Sequence, residues 1–409
     1  MFHSRIKNIS YAVIASFFAF SLMLYPKAAF ESSLKGLTTW WEIVFPSLLP
    51  FFIISEILIS FGVVRLVGVL LEPFMRPLFN VPGAGGFVWA MGISSGFPAG
   101  AKFTARLRQE NELTQIEAER LVSFTNCSNP LFILVAISIG FFYNTDLGLL
   151  LVAAHYLGNI VVGLVMRFYG KDYRQFPLRN KKHVPNNRLK YALYRMNEVK
   201  RRDPRPFGKI LGDAVQHSIQ TLLMIGGFIL LFSVLNRMLA EVNITAFLAS
   251  VFSAFIGIIG FSQDLSIPFI TGLLEITIGS QQVSEVNTPL IHQAIIVSFI
   301  LAFNGFSVHA QVASILAETD IRFKPFFMAR LLHGFVASVL TVLLWKPLYV
   351  SQSSGTSVVA AFATHPTISW AESIWDQLLT IGATVTFVSL VIYVLIIWRS
   401  LDQTAIRVK

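Results

Sequence analysis

Two short polar stretches inside an apolar sequence carry the residue types that could bind an anion. They are "GISSGFPAGAK", residues 92–102, and "TNCSNP", residues 125–130, and together they supply hydroxyl groups, carboxamides and one ammonium group. Proteins direct such groups, and the backbone N–H groups of glycine-rich turns, at carboxylates and phosphates. The predicted substrate-binding residues in the first half of the chain are therefore Ser94, Ser95, Gly96, Lys102, Asn126, Ser128 and Asn129.

Two of these assignments have a structural alternative. Lys102 could meet an anionic group of the substrate, but Arg106 and Arg108 follow closely, so it could also extend its ammonium group to the membrane surface as a topology charge. The polar cluster "TNCSNP" with Pro130 indicates a helix unwound inside the membrane. The alternative for this cluster is hydrogen bonding between helices that only holds the bundle together.

The second half of the chain carries a comparable set of polar residues. It lies in "GLLEITIGS", residues 272–280, and "AFNGFSVHAQ", residues 302–311. From these stretches we predict that Thr277, Asn304 and Ser307 bind substrate.

Two further residues of the second half are predicted to couple transport to an ion. An ionisable group at membrane depth is costly and by default functional, so Glu275 could carry a coupling proton or coordinate a cation. Its alternative is a structural pair with a buried arginine or lysine. His309 could shuttle protons near neutral pH, or simply be hydrogen-bonded in the bundle. His155 and His333 are expected to face packing partners.

The composition places these residues in a membrane protein. The 409 residues are 54% hydrophobic and 13% charged, and their mean hydropathy is +0.65. A transmembrane helix needs about 20 apolar residues. Eight runs satisfy this length: 9–26, 44–64, 121–142, 147–168, 211–236, 292–316, 325–349 and 374–398. The stretches 65–91 and 243–271 are apolar but interrupted, and they are predicted to be interfacial or re-entrant, 243–260 being the better candidate for a span.

The distribution of charge predicts the orientation. Residues 171–210 hold 13 lysines and arginines against three acidic residues, a net charge of +10 that equals the net charge of the whole chain. Loops this basic stay in the cytoplasm. The segments 351–373 and 143–148 contain no lysine or arginine and are predicted to be external, so both termini are expected in the cytoplasm.

A weak internal repeat relates the two halves. Three pairs of segments match in the same order at offsets of 180, 179 and 178 residues: those beginning at Gly92 and Gly272, "SFTNCSNPLF" and "AFNGFSVHAQ", and the surroundings of His155 and His333. The charge pattern gives the two units opposite orientations. Such halves are typical of secondary transporters, whose substrate sites lie near the midplane where broken segments meet. Irregular backbone is tolerated at that depth only inside protein or beside a watery cavity.

The predicted fold is therefore an all-α polytopic membrane protein with about eight transmembrane helices in two inverted repeats with re-entrant hairpins. The hairpins are expected near 83–102 and 263–283. The predicted organisation is a first helix and amphipathic segment (1–43), repeat 1 (44–168), a basic cytoplasmic loop (169–210), repeat 2 (211–349), and an external linker with the last helix and a cytoplasmic tail (350–409).

Several classes of function are disfavoured. The sole cysteine, Cys127, excludes an internal disulfide and a cysteine-based metal cluster. The sequence has no HExxH, Walker A, nucleophile-elbow or GxGxxG motif, so we expect neither an enzyme nor a cofactor. The basic loop lacks interleaved aromatic residues, which favours a topology-setting linker that touches anionic headgroups over a nucleic-acid site.

In the order "GISSGFPAGAK", "TNCSNPLF", "GLLEITIGS" and "FNGFSVHAQ", the chain resembles the sporulation integral membrane protein YlbJ family of endospore-forming bacteria, over about residues 10–400. The same segments look like the nucleoside recognition, or Gate, domains of wider membrane families that include concentrative nucleoside carriers. The resemblance implies transport of dipicolinic acid, a small planar dicarboxylate, out of the mother cell across the outer forespore membrane.

Three hypotheses remain open from the sequence. The first is a transporter of dipicolinate or a similar aromatic anion, whose partners are that substrate and the bilayer, in a monomer or a homo-oligomer. The second is a carrier of nucleosides or other metabolites, in which Glu275 would accept hydrogen bonds from sugar hydroxyls and Lys102 would have no obvious task. The third is a membrane scaffold for spore-envelope assembly, for which only the basic loop and residues 351–373 offer a partner surface.

Overall fold

The computed structural model describes residues 2–170, 188–203, 205–258 and 260–350, and within these ranges the chain is helical and contains no β-strand. The predicted external segment 351–373, the predicted span 374–398 and residues 171–187 of the basic loop lie outside the described residues. The prediction of an all-α polytopic membrane protein is confirmed. The described helices up to Tyr349 belong to one compact unit.

Within the described ranges, nine helices precede the middle of the chain: α1 (Phe2–Leu24), α2 (Pro26–Thr39), α3 (Phe45–Ser60), α4 (Val63–Phe79), α5 (Ala84–Ser95), α6 (Ala99–Gln109), α7 (Gln115–Thr125), α8 (Thr145–Met166) and α9 (Arg188–Arg202). Between the middle and residue 350, seven described helices follow: α10 (Phe207–Glu241), α11 (Ile244–Ile258), α12 (Ser266–Leu274), α13 (Ile276–Glu285), α14 (Leu290–Phe303), α15 (Gly305–Leu316) and α16 (Phe323–Trp345). Three π-helical stretches also occur among the described residues: Trp40–Val44, Phe132–Phe141 and Lys346–Val350.

Four helical segments among the described residues are long and apolar enough to cross a bilayer: Thr145–Met166, Phe207–Glu241, Leu290–Leu316 and Phe323–Val350. They coincide with four of the predicted spans. Two bent pairs, Ile9–Leu24 with Pro26–Glu42 and Leu48–Ser60 with Val63–Phe79, raise the number to six if each pair crosses once. Their bends are 104° and 83°. The predicted total of eight spans therefore stays a prediction.

The distribution of polar and apolar side chains is that of a protein surrounded by lipid. Large apolar side chains such as Met23, Leu131 and Ile258 point outward and are 78%, 68% and 84% exposed. Polar and charged side chains, among them Asn126 and Arg330, are completely buried. In a soluble protein the preference is the reverse. Here the polar groups lie in the interior.

The same series of helices and breaks occurs twice along the chain. In the first half, α4 is followed by the broken pair α5–α6, by α7 and the stretch Phe132–Phe141 with non-helical residues 126–129 between them, and by the uninterrupted α8. In the second half, α11 is followed by the broken pair α12–α13, by α14 and α15 with a break at Asn304, and by the uninterrupted α16. The predicted breaks in both halves are present.

Each broken helix pair folds back on itself at glycines. At Gly279 of α13, an added Cβ would lie 2.1 Å from Cα of Gly272 in α12, so the two backbones are in direct contact. In the first half, an added Cβ on Gly100 of α6 would lie 2.3 Å from the carbonyl oxygen of Thr125, and one on Gly92 of α5 would lie 2.1 Å from the same oxygen. Only glycine permits such an approach of one backbone to another.

Helices α8 and α16, which correspond in the predicted repeat, run antiparallel. Arg322, at the start of α16, donates a hydrogen bond to the hydroxyl of Tyr169 just beyond the end of α8 (3.1 Å). At the other end, Asn144 before α8 donates to the hydroxyl of Tyr349 just beyond α16 (2.9 Å). Corresponding helices of opposite direction are what an inverted repeat requires.

Charged residues join the two halves near the end of α8 from which the basic loop leaves. Arg108 of α6 binds both carboxylate oxygens of Asp320, each at 2.8 Å, and Arg322 binds Glu119 of α7 at 2.7 Å. The hydrogen bonds from Arg108 hold the pKa of the Asp320 carboxyl below its usual value. These contacts connect α6 and α7 to the loop before α16.

Candidate functional site

The candidate site lies where the broken helices of the two halves touch. The non-helical residues 126–129 follow α7, and Asn304 separates α14 from α15 with a φ of 78°. The carboxamide nitrogen of Asn304 donates a hydrogen bond to the backbone oxygen of Asn126 (3.1 Å), and both side chains are completely buried. The two asparagines are 178 residues apart. Two segments that correspond in the predicted repeat therefore contact each other, as segments beside a two-fold axis do.

His155 and His333, which correspond in the predicted repeat, lie at the same place. Their ring centroids are 4.9 Å apart, and Nε2 of His333 lies 2.8 Å from the backbone oxygen of His155. The backbone N–H of Ser128 donates to Nε2 of His155 (3.1 Å). Both histidines therefore contact packing partners, as expected. Through the hydrogen bond between His155 and Ser128, the pair holds the broken segment 126–129 in position.

The tip of the first hairpin rests against this broken segment. The carboxamide of Asn129 donates to the backbone oxygen of Ser95 (3.2 Å) and accepts from the N–H of Phe132 (2.7 Å). Gly96 lies beside Asn129, so closely that an added Cβ would be 3.2 Å from the backbone nitrogen of Asn129. The structure therefore brings Ser95 and Gly96 of the first stretch into contact with Asn129 of the second.

The second hairpin meets its own broken helix in the same way. Gly305, next to Asn304, lies against the backbone oxygens of Gly272 and Leu274. Glu275 occupies the break between α12 and α13, where its carboxylate accepts a hydrogen bond from the N–H of Ile278 (2.7 Å) and caps α13. The side chain of Thr277 interacts with the same carboxylate. Ser307 is buried in the first turn of α15.

Several buried polar atoms of these segments have no hydrogen-bond partner among the described residues. They are the hydroxyl oxygens of Ser95 and Ser128, both carboxamide atoms of Asn126 and the carboxamide oxygen of Asn304. A buried polar group without a partner costs about 1–3 kcal/mol. Because such groups are rare in native proteins, their concentration on segments that touch one another indicates a place for a polar ligand or for water.

Three predicted site residues are engaged elsewhere. Ser94 is exposed, and its hydroxyl donates to the backbone oxygen of Ala90 in its own helix (2.9 Å). The ammonium of Lys102 lies 3.3 Å from the carboxylate of Glu56 in α3. His309 binds the backbone oxygen of Phe303 (2.8 Å), and its ring is surrounded by phenylalanines. Their predicted roles in binding and coupling are not supported by contacts with the central polar atoms.

Arg330 of α16 is the residue of this site that the sequence analysis missed. Its guanidinium is completely buried and donates to the backbone oxygens of Asn126 (3.1 Å) and Ser123, to Nδ1 of His333 (3.1 Å) and to the carboxamide oxygen of Asn159 (3.2 Å). It joins α16 of the second half to α7 and α8 of the first. The signal that could have found it is an arginine well inside an apolar helix of bilayer length.

No cluster of three or more histidine, cysteine or acidic side chains that could hold a metal ion occurs in the part of the chain that the structure describes. Cys127 is a buried free thiol. The polar groups of the site are thus hydroxyls, carboxamides and one guanidinium, which suit the binding of an organic anion or a polar neutral molecule.

Two comparisons relate this chain to known proteins. The family model Gate, described as nucleoside recognition, matches residues 41–142, which include the first hairpin and the broken segment 126–129. The sporulation integral membrane protein YlbJ of Bacillus subtilis (strain 168) is 55% identical to this chain over 396 residues, 96% of this chain and 97% of that protein. No solved structure matches the chain.

Proposed function

This chain belongs to the family of the sporulation integral membrane protein YlbJ, and from that premise we propose that it is a membrane transporter of a small aromatic dicarboxylate. The substrate is dipicolinic acid, carried out of the mother cell across the outer forespore membrane during sporulation. The protein lies in that membrane with both termini in the mother-cell cytoplasm, and it is not an enzyme.

The observation that carries this proposal is the group of unpartnered polar atoms where the two broken helices meet. A protein that only scaffolds an envelope has no use for buried hydroxyls and carboxamides without partners, because each lowers its stability. A substrate that supplies the missing hydrogen bonds removes that cost while it is bound. Carboxylate oxygens accept from the hydroxyls and from the carboxamide nitrogen of Asn126.

The arrangement of the two halves supports alternating access. Helices α8 and α16 are antiparallel. The corresponding broken segments meet at Asn126 and Asn304, and the corresponding residues His155 and His333 contact each other. The proposed inverted repeat places the substrate on the pseudo-two-fold axis between the halves. Rocking of one half against the other then exposes the site to either side in turn.

A nucleoside or another polar metabolite is the second candidate substrate. It is favoured by the description of the Gate model and by the pairing of Lys102 with Glu56, which leaves the predicted lysine without a substrate charge to bind. The unpartnered carboxamides would then bind ribose hydroxyls or base edges. The two candidates differ in charge, so a transport measurement separates them.

The deciding experiment is uptake of dipicolinate by the purified protein in liposomes, together with the dipicolinate content of spores from a deletion strain. We expect saturable uptake that is not inhibited by nucleosides, and spores depleted of dipicolinate. Uptake of nucleosides with no uptake of dipicolinate would replace the proposed substrate. Normal spore dipicolinate and no flux of either compound would favour the scaffold.

Replacement of the unpartnered hydroxyls gives a sharper test of the site. We expect Ser95→Ala and Ser128→Ala to lower dipicolinate affinity by about tenfold each, because each removes a donor worth about 1–3 kcal/mol to a charged acceptor. Neither hydroxyl has a hydrogen-bond partner among the described residues, so the thermal stability of the substrate-free protein should stay unchanged. Affinity from equilibrium binding and the unfolding midpoint are the two measurements.

Ser298→Ala is the matched control for this pair. The hydroxyl of Ser298 is hydrogen-bonded to that of Thr341 (2.6 Å), so its loss should lower stability and leave affinity unchanged. If Ser95→Ala and Ser128→Ala behave like Ser298→Ala, the two hydroxyls belong to the packing of the bundle and the proposed site is wrong.

Glu275 is proposed to couple transport to protons rather than to bind the substrate, because like charges in contact are strongly unfavourable in a low dielectric. Glu275→Gln keeps an oxygen that can accept the hydrogen bond from Ile278 and removes the titratable group. We expect the variant to bind dipicolinate normally and to lose most of the pH dependence of flux. Glu285→Gln, at the exposed end of the same helix, is the control and should keep the wild-type pH profile. An unchanged profile in Glu275→Gln would remove Glu275 from the coupling role.

A further inference from the structure

Arg330 carries the only positive charge that the structure places directly on the broken segment 126–129, within the described ranges. Its side chain is 0% exposed, and its two Nη atoms are fully used by the backbone oxygens of Ser123 and Asn126, by His333 and by Asn159. Its Nε–H is buried without a hydrogen-bond partner. The guanidinium thus donates hydrogen bonds to backbone oxygens at the carboxyl end of α7, and its Nε–H group remains available as a donor.

The charge of Arg330 has no acidic partner among the described residues. Every carboxylate that forms an ion pair in that part of the chain does so with a lysine or arginine other than Arg330. The hydrogen-bond partners of Arg330 itself are carbonyls, a carboxamide and an imidazole. The carbonyls at the end of α7 offset part of the charge, because a helix C-terminus carries about half a negative charge. The remainder is uncompensated, and an uncompensated buried charge costs several kcal/mol.

The two neighbouring histidines are neutral, so they do not change the charge at this place. His333 accepts from Arg330 at Nδ1, so its proton is on Nε2, which donates to the backbone oxygen of His155. His155 accepts from the N–H of Ser128 at Nε2, so its proton is on Nδ1. Each ring uses one nitrogen as an acceptor, which requires the neutral form. The centre where the two halves meet therefore carries one formal positive charge, which only the carbonyls at the end of α7 offset in part.

We propose that Arg330 is the charge-selecting residue of this site: its uncompensated guanidinium draws a carboxylate of the substrate to the space between the broken helices and disfavours neutral molecules and cations. This inference rests on the proposed transport function and assigns to Arg330 the role that the sequence analysis gave to Lys102. Lys102 cannot supply the same attraction because Glu56 neutralises it.

Asn159 allows the charge to be cancelled without a change of shape. Its carboxamide oxygen accepts from Arg330 (3.2 Å), and its side chain also interacts with the thiol of Cys127. Asn159→Asp keeps the accepting oxygen and the size of the side chain, and it places a carboxylate beside the guanidinium. We expect it to remain folded, with an unfolding midpoint at or above that of the wild type, and to bind dipicolinate at least tenfold more weakly.

The same variant should also change selectivity. Pyridine-2,6-dicarboxamide has the shape of dipicolinate without its charge, so the preference for dipicolinate over this neutral analogue should fall at least tenfold in Asn159→Asp. Asn80→Asp is the matched control, since Asn80 lies beside Arg120, another completely buried arginine of the described residues, and accepts from it through its backbone oxygen (2.9 Å). It adds the same charge in the same half and should leave affinity and selectivity unchanged.

A second pair of variants separates the charge from the shape of Arg330. Arg330→Lys keeps the charge and should retain most of the affinity for dipicolinate, whereas Arg330→Gln should lose it. Equal affinity in the wild type and Asn159→Asp, or equal losses in Arg330→Lys and Arg330→Gln, would overturn the assignment while leaving transport of dipicolinate intact. If the wild type itself binds no dipicolinate, the proposed function fails first, and this assignment fails with it.

Discussion

Lys102→Ala will lower the stability of the protein by about 3–5 kcal/mol, whatever it does to transport, because it leaves the carboxylate of Glu56 buried without its partner. The two charges are 3.3 Å apart, and their side chains are only 12% and 9% exposed. The ammonium also lies 4.4 Å above the ring of Phe52. The unfolding midpoint of the detergent-solubilised protein measures the effect.

Two controls separate this loss from an effect on the substrate. Lys27→Ala breaks the ion pair between Lys27 and Glu31, whose side chains are 90% and 61% exposed, and should cost less than about 0.5 kcal/mol. The double variant Glu56→Gln with Lys102→Met removes both buried charges and should recover most of the stability. If Lys102→Ala unfolds like the wild type but no longer binds dipicolinate, Lys102 is the substrate-binding charge that its position in the sequence predicted.

The case of Lys102 shows where sequence patterns stop being informative. Its place just after "GISSGFPAG" indicates a positive charge near the hairpin tip, and that is correct as a position along the chain. Its partner Glu56 comes from α3, and only the packing of α3 against the hairpin brings the two together. A spacing of 46 residues across three helix breaks has no periodicity that could predict such a pair.

The helix breaks themselves could be predicted because they depend on local chemistry. Proline and glycine at 96–98, asparagine, serine and proline at 126–130, and asparagine and glycine at 304–305 all disfavour continued helix. The near-constant offsets of the repeat then predicted which breaks correspond. The contact between Asn126 and Asn304, 178 residues apart, lies at the offset at which the two histidines correspond. The number of bilayer crossings is harder to predict, because these breaks divide apolar runs such as 121–142 into helices too short to span a bilayer.

Arg330 could not be assigned from the sequence for a different reason. Residues 325–349 form a run apolar enough to span a bilayer, and averaging over such a window conceals a single arginine in its first third. Its importance comes from partners in α7, in α8 and in the broken segment after α7, where the carbonyl of Asn126 is an available acceptor only because the helix is broken there. A residue whose role is created by a break elsewhere is visible only in the folded chain.

Gly279→Ala and Gly100→Ala will each prevent accumulation of a stably folded protein, with losses of about 4 kcal/mol or more. At Gly279 the added Cβ would lie 2.1 Å from Cα and 2.3 Å from the nitrogen of Gly272. At Gly100 it would lie 2.3 Å from the oxygen of Thr125 and 2.6 Å from the nitrogen of Asn126. Backbone surrounds both positions, so no rotation of a side chain can relieve the overlap.

Gly227→Ala is the matched control, since Gly227 lies in α10 with nothing within 4 Å of an added Cβ. Alanine is the better helix former, so this variant should be as stable as the wild type or more stable by up to about 1 kcal/mol. The monodisperse fraction after solubilisation and the unfolding midpoint distinguish the three variants. Equal behaviour of Gly279→Ala and Gly227→Ala would mean that α12 and α13 are not in contact, and the second hairpin would be wrong. Since the overlap at Gly100 falls on the backbone of Asn126, any folded fraction of Gly100→Ala should also bind dipicolinate more weakly, which ties the packing of the first hairpin to the proposed site.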